Sequence, residues 1–310
     1  MNRQYLYGET NQDYDIYVYY TTVYCIKYFL SLISLWRTLS ALDETSRVIQ
    51  SLNRSIEIVP VEIDFSQVTD SALENLFLAI STALQRSATN ISISASPFST
   101  AAIIHNAGSV GDVSRTAAQM TDTSSVDAYM RAHITGPITL NARFFQWARS
   151  NPVLNPSPAP SVRRTLLCVN ISTLLAVQPF ASFSLYCSSR AARDMFIRVL
   201  VAEECRTGSD VGSGESSGGE ASSSSPSRAP CAASGGWRVR ALSYAPGPLD
   251  TEMIRECREA ADPVVRAGFV DLLQSGRVLR PEDSARRLLQ LIHDDRFADG
   301  AHIDYYDPMP

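Results

Sequence analysis

The stretch Thr165 to Ile171 reads TLLCVNI, an apolar run of strand length whose β-branched and aliphatic residues suit burial on both faces. Two upstream segments share that character: Ile56 to Phe65 (IEIVPVEIDF) and Ala101 to His105 (AAIIH). A helical pattern follows each of the three. Ser71 to Leu84 and Val126 to Ala148 carry apolar residues at helical spacing, and Arg190 to Glu204 (RAARDMFIRVLVAEE) is amphipathic and opens with good helix formers. Trp237 to Tyr244 (WRVRALSY) supplies a further strand. The alternation predicts an α/β fold: a Rossmann-like, doubly wound parallel sheet, covered by helices on both faces, in a single domain.

Bulk properties narrow the possibilities. With 310 residues, 45% of them hydrophobic, the chain is long enough to bury a large core, which excludes disorder throughout. The formal net charge of -5 and the scattered Lys and Arg leave no basic face for nucleic acid. The six cysteines, Cys25, Cys168, Cys187, Cys205, Cys231 and Cys257, form no CxxC pair and have no His at ligand spacing. No metal site and no disulfide framework are expected, and a reducing, cytoplasmic compartment fits best.

Two segments depart from the α/β pattern. Between Cys205 and Gly236 the composition turns to Gly, Ser, Glu and Pro, with little to bury, so residues 206–236 read as a disordered surface insertion within the domain 39–310. Residues 1–38 form an atypical Tyr-rich N-terminal segment with the β-branched and aromatic composition of strands. Within it, Val18 to Trp36 is apolar, but Lys27 lies in the middle and the preceding residues lack the basic start of a signal peptide. A charge near a bilayer centre costs roughly 2.5 to 3.5 kcal/mol on insertion scales, so membrane insertion is not expected.

The residues that carry chemistry are Ser172, at the end of a buried strand, and Tyr186, leading into a helix. Reducing a carbonyl requires a proton donor beside its oxygen and a second hydroxyl to orient it, while a nicotinamide gives hydride from the other side. Ser172 and Tyr186 are suited to those two roles.

The segment NISTLLAVQPFASFSLYCSSRAARDM (Asn170 to Met195) resembles the Ser and Tyr segment of the sepiapterin reductase family of short-chain dehydrogenases/reductases. Asn106-Ala107-Gly108 resembles that family's NAG turn. Ala245-Pro246-Gly247-Pro248-Leu249-Asp250-Thr251 resembles its PG motif over the nicotinamide, and Gly300 to Asp307 (GAHIDYYD) its C-terminal block. Any one of these is a common turn or core pair. Their joint order across roughly Ile103 to Asp307 carries the resemblance.

The resemblance implies NADP as cofactor, a small pterin-like carbonyl substrate, and a homodimer formed through the helices at Val126 to Ala148 and Arg190 to Glu204. It implies Ser172, Tyr186 and Arg190 as catalytic residues. The implied cofactor contacts are Asp64, Asn106, Ala107, Gly108, Tyr186, Arg190, Pro246, Gly247, Leu249 and Thr251. Substrate contacts fall to Ser172, Tyr186 and Asp304, the last anchoring the pterin through charge-assisted hydrogen bonds.

Four departures accompany it. The glycine-rich turn that holds the cofactor pyrophosphate is missing, since residues 1–38 contain only Gly8. Around Leu39 (LSALDETSRVIQSL) the likeness resumes, yet Leu42 stands where the family has the Arg for the 2′-phosphate. Arg190 replaces the Lys that lowers the tyrosine pKa and binds the ribose, and His133 replaces the Asn that helps hold a relay water. Asp64, matched to the adenine contact, reads equally as a helix N-cap. A carbonyl reductase is therefore the leading reading. The alternatives are an inactive relative acting as a binding or scaffold protein, and a chain whose residues 1–38 replace the natural first strand and glycine turn.

Overall fold

A computed structural model describes residues 22–26, 31–36, 46–47, 51, 57–90, 100–155, 164–206 and 236–310. The low-complexity insertion, apart from its ends, lies outside the described residues, as do Leu42 and most of residues 1–38. The described strands are β1 (Thr22–Ile26), β2 (Ser31–Trp36), β3 (Glu57–Glu62), β4 (Thr100–His105), β5 (Arg164–Ile171), β6 (Trp237–Ala245) and β7 (Ala301–Asp304). They form a seven-stranded sheet in the order β3-β2-β1-β4-β5-β6-β7.

The long helices lie between them: α1 (Asp70–Asn90), α2 (Thr123–Met130), α3 (Gly136–Ser150) and α4 (Ser184–Arg206). The shorter α5 (Glu252–Glu256), then α6 (Pro263–Gln274) and α7 (Pro281–Asp294), follow β6. A π-helical turn, Arg131–Thr135, joins α2 to α3, so the predicted helix at Val126 to Ala148 is present but carries a bulge. Such bulges often mark functional positions.

Near-continuous apolar strands imply cover on both sides, and the sheet has it. Side chains alternate between two cores with the strand period. Ala101, Ile103, Leu166, Cys168, Val239 and Ala241 pack with α1, α3 and α4. Ala102, Ile104, Leu167, Val169, Leu242 and Tyr244 pack with Leu288 and Leu291 of α7.

The sheet departs from the predicted all-parallel arrangement at one strand. β1 pairs antiparallel with both β2 and β4, whereas β2 with β3, and β4 through β7, pair in parallel. Reversal explains how β1 and β2 can be joined by residues 27–30 alone: antiparallel neighbours need only a tight turn, and parallel ones need a crossover of a dozen residues or more. The C-terminal end of β1 therefore points the opposite way from the C-terminal ends of β4 to β7. The strand composition expected of the N-terminal segment is realised at Thr22–Ile26 and Ser31–Trp36. Among the described residues, no helix is long and apolar enough to cross a membrane.

Candidate active site

The C-terminal ends of β4, β5, β6 and β7 bring the predicted residues into two neighbouring groups. In the first, Tyr186 and Arg190 lie one turn apart on α4, with the Arg190 guanidinium 5.0 Å from the centre of the Tyr186 ring. Arg190 is buried and donates from Nη1 to the Ile171 carbonyl at 2.9 Å, immediately before Ser172. Its Nη2 lies against Gly108, where a Cβ would stand only 2.0 Å away. One guanidinium thus joins the Tyr186 helix, the Ser172 strand end and the Asn106-Ala107-Gly108 turn.

Ser172 is buried and anchored by its own N–H, which donates to the Tyr244 carbonyl at 2.7 Å. Its Oγ has no partner at hydrogen-bonding geometry. The NAG turn is held from below by Arg193, whose Nη2 donates to the His105 carbonyl at 2.6 Å and whose Nη1 reaches Ala107 O at 3.5 Å. Burial, reinforced by the nearby Arg190 charge, lowers the Arg193 pKa to about 9.

The second group surrounds the turn after β6. Gly247 has φ +76°, and a Cβ there would stand 2.7 Å from Leu279 Cδ1, so the turn requires glycine for both shape and space. Pro246 O accepts from Ser284 Oγ at 2.8 Å, Leu249 bridges to Leu279, and Thr251 is the N-cap of α5. Asp304 lies in register with Ala245 at the end of β7, and its Oδ1 accepts the Tyr306 N–H at 2.9 Å. The PG turn and Asp304 are therefore neighbours across the β6–β7 pair.

Asp64 is not joined to either group. It caps the 3-10 turn Phe65–Gln67, accepting from Ser66 N at 2.9 Å and Ser66 Oγ at 2.7 Å, as an N-cap aspartate does. His133 is buried in the π turn, with Nδ1 donating to Tyr129 O at 2.8 Å and Nε2 accepting the Ser109 N–H at 2.9 Å. That pattern fixes the neutral tautomer protonated at Nδ1. Burial, with the Arg190 and Arg193 charges adding to it, lowers the His133 pKa to about 4. Nε2 thus pins the loop after the NAG turn at Ser109, while Nδ1 ties the ring to the preceding turn of its own helix at Tyr129.

The sequence reading missed the buried polar layer beneath these groups: Asn170, Asp194, His302 and Arg193. A signal was available. Arg193 and Asp194 follow Arg190 by three and four positions, which puts two more charges on the helix face of Tyr186 and Arg190. Among the described residues there is no cluster suited to a metal ion, and Cys168, Cys187 and Cys257 are free thiols.

No family model matches the chain. It is 36% identical over 206 residues to a sepiapterin reductase of Bos taurus, covering 66% of this chain and 61% of that protein. It is 35% identical over 206 residues to a sepiapterin reductase of Xenopus laevis, with 66% and 62% covered. The chain thus spans somewhat under two thirds of these relatives' length. Its fold matches a short-chain dehydrogenase of Shigella flexneri, solved as a complex with NADP, at TM-score 0.57 and 16% identity, covering 88% of this chain and 84% of that one. An Escherichia coli oxidoreductase matches at TM-score 0.56 and 18% identity, covering 89% and 84%. The fold is that of these short-chain dehydrogenases. In sequence, the chain is similar to the sepiapterin reductases over 206 residues.

Proposed function

We propose that the chain is an NADP-dependent carbonyl reductase acting on the side-chain carbonyl of a pterin. The observation that carries this reading is the Arg190 contact set, which holds Tyr186, the strand end at Ser172 and the NAG turn as one unit.

The fit to the cofactor divides along its length. At the nicotinamide end, the NAG turn, the left-handed Gly247 turn, the buried and unpartnered Ser172 Oγ and the Arg190 charge suit a ribose and a carboxamide. At the pyrophosphate end the described residues supply no cradle, because β1 runs antiparallel to β4 and its C-terminal end lies away from the C-terminal ends of β4 to β7. A nicotinamide bound at the first end supplies a hydride to the carbonyl carbon. Tyr186 donates its phenolic proton to the carbonyl oxygen, and Ser172 orients that oxygen by donating a hydrogen bond. The guanidinium over the Tyr186 ring opposes the negative charge left on the phenol oxygen. Asp304, beside the PG turn, accepts hydrogen bonds from the amino and ring N–H groups of the pterin.

Other proposals accompany this one. Met195 and Val199, one turn apart and exposed on α4, support pairing with a second copy of the chain, which sedimentation would detect. The free thiols support a reducing, cytoplasmic setting. The assay for the main proposal is NADPH consumption with sepiapterin. Tyr186→Phe should reduce the rate by about 100-fold or more, the lower range for a lost general acid; an unchanged rate refutes the assignment.

The reversed β1 favours a second reading, a relative that has lost cofactor chemistry and acts as a binding protein. Purified chain whose melting temperature shifts with neither NADPH nor NADH supports that reading over the enzyme.

A further inference from the structure

On α4, two turns beyond Tyr186 and one beyond Arg190, Asp194 is buried and faces the strand ends. Its Oδ1 accepts from Asn170 Nδ2 at 2.8 Å and its Oδ2 from His302 Nδ1 at 2.6 Å. Asn170 Nδ2 also contacts Ser243 Oγ at 3.1 Å. Burial acts to raise the Asp194 pKa, but hydrogen bonding to the carboxylate, led by His302, outweighs it and holds the carboxyl below its usual value. Ionised at neutral pH, Asp194 gathers β5, β6 and β7 at the ends from which Ser172, the PG turn and Asp304 extend.

The spacing is the same on both outer strands of that group. Asn170 stands two residues before Ser172, and His302 two before Asp304. In a strand, residues two apart share a face, so the clamp on His302 fixes the side of β7 on which Asp304 lies. A buried ionised carboxylate is costly unless its lone pairs are met by donors, and packing alone would be served by an apolar side chain. Ser172 Oγ and His302 Nε2 border the network as buried atoms without a partner at bonding geometry.

We propose that Asp194 and His302 are positioning residues of the carbonyl-reducing site, an inference that rests on the function proposed above. Asp194 fixes the Ser172 strand end against the helix that carries Tyr186. His302 extends the same constraint to β7 and so to Asp304.

The test uses the full chain and three variants: His302→Leu, His302→Asn and Asp194→Asn. Asparagine at 302 keeps an N–H donor near the position of Nδ1, and leucine removes it. The readouts are steady-state kinetics with NADPH and sepiapterin, fluorescence titration with sepiapterin alone, and thermal melting. His302→Leu should raise KM and Kd for sepiapterin about tenfold while kcat stays within about twofold, and His302→Asn should recover most of the loss, as a displaced anchor predicts. Asp194→Asn should lower kcat by about tenfold or more through misplacement of Ser172.

A His302→Leu protein that melts lower yet binds and turns over sepiapterin like the wild type overturns the positioning role. Wild-type protein that neither binds nor reduces sepiapterin overturns the proposed function, and this inference with it. Wild-type protein that binds without turnover still decides the matter through Kd. If Asp194→Asn does not fold, the two His302 variants decide alone.

Discussion

The Arg190 guanidinium occupies the space beside Gly108, with Nη2 only 2.0 Å from where a Cβ on that glycine would stand. The NAG turn and the Tyr186 helix are therefore in direct contact, and a side chain at 108 must move the Arg190 guanidinium, which also donates to the Ile171 carbonyl. Gly108→Ala should destabilise the fold by about 1 to 3 kcal/mol, the usual cost of overpacking, and lower carbonyl reduction at the same time. Urea unfolding combined with the sepiapterin assay checks both effects. A variant equal to wild type in each would show that the turn and helix are not coupled.

The same contact bears on cofactor affinity. A lysine at 190 carries a compact ammonium in place of a planar fork and frees the space against Gly108. Arg190→Lys should tighten NADPH binding by roughly tenfold, the value of about one added charge-assisted hydrogen bond. Calorimetric titration of both proteins measures it, and equal affinities would show that the guanidinium is no obstacle.

The buried histidines predict a particular acid sensitivity. Burial, with Arg193 nearby, lowers the His105 pKa to about 3, and burial lowers that of His133 to about 4, both from an ordinary 6.5. Between those values and 6.5 the unfolded chain binds protons that the folded chain does not. Their stabilisation is therefore complete above pH 6.5 and is lost as pH falls through that window, by roughly 3 kcal/mol for His133 alone. Urea midpoints measured from pH 7 to pH 4 should fall accordingly. His133→Gln should flatten the slope, and an unaltered slope would count against a neutral, buried His133.

Arg240, buried on β6, donates to Asp295 and Asp299 and lies 3.9 Å from the centre of the Phe297 ring. These contacts hold the loop that leads into β7 and Asp304. Asp299→Ala removes one of the two carboxylate partners of Arg240 and leaves Asp295 and the Phe297 carbonyl in place, which should cost about 1 to 3 kcal/mol, the usual range for losing a hydrogen bond to a charged group. The loss should appear as a lower melting temperature and a higher KM for sepiapterin.

Much of this was legible because buried parallel strands leave a strong mark. IEIVPVEIDF, AAIIH and TLLCVNI became β3, β4 and β5, and the helix patterns after them became α1, α2 with α3, and α4. The expected partners Tyr186 and Arg190 lie together because one helical turn separates them, and the PG turn and Asp304, expected separately, are neighbours because Ala245 and Asp304 are in register. The reversal of β1 was not legible: apolar and aromatic residues favour strands without fixing direction, and direction here follows from a connection of only residues 27–30. The Asp194 network escaped notice for a related reason. An Arg-Asp pair in an amphipathic helix reads as a solvated face, and only the packing of that face on the strand ends shows that it is buried.

Reduction of a carbonyl at the expense of a nicotinamide is the chemistry proposed for the strand-end site. The most direct test mixes purified wild-type chain with NADPH and sepiapterin and follows nicotinamide absorbance together with reduced pterin. NADPH consumed and pterin carbonyl reduced should be equal in amount, with no consumption when sepiapterin is omitted. Intact NADPH in the complete mixture, or consumption that continues without a carbonyl, would contradict it.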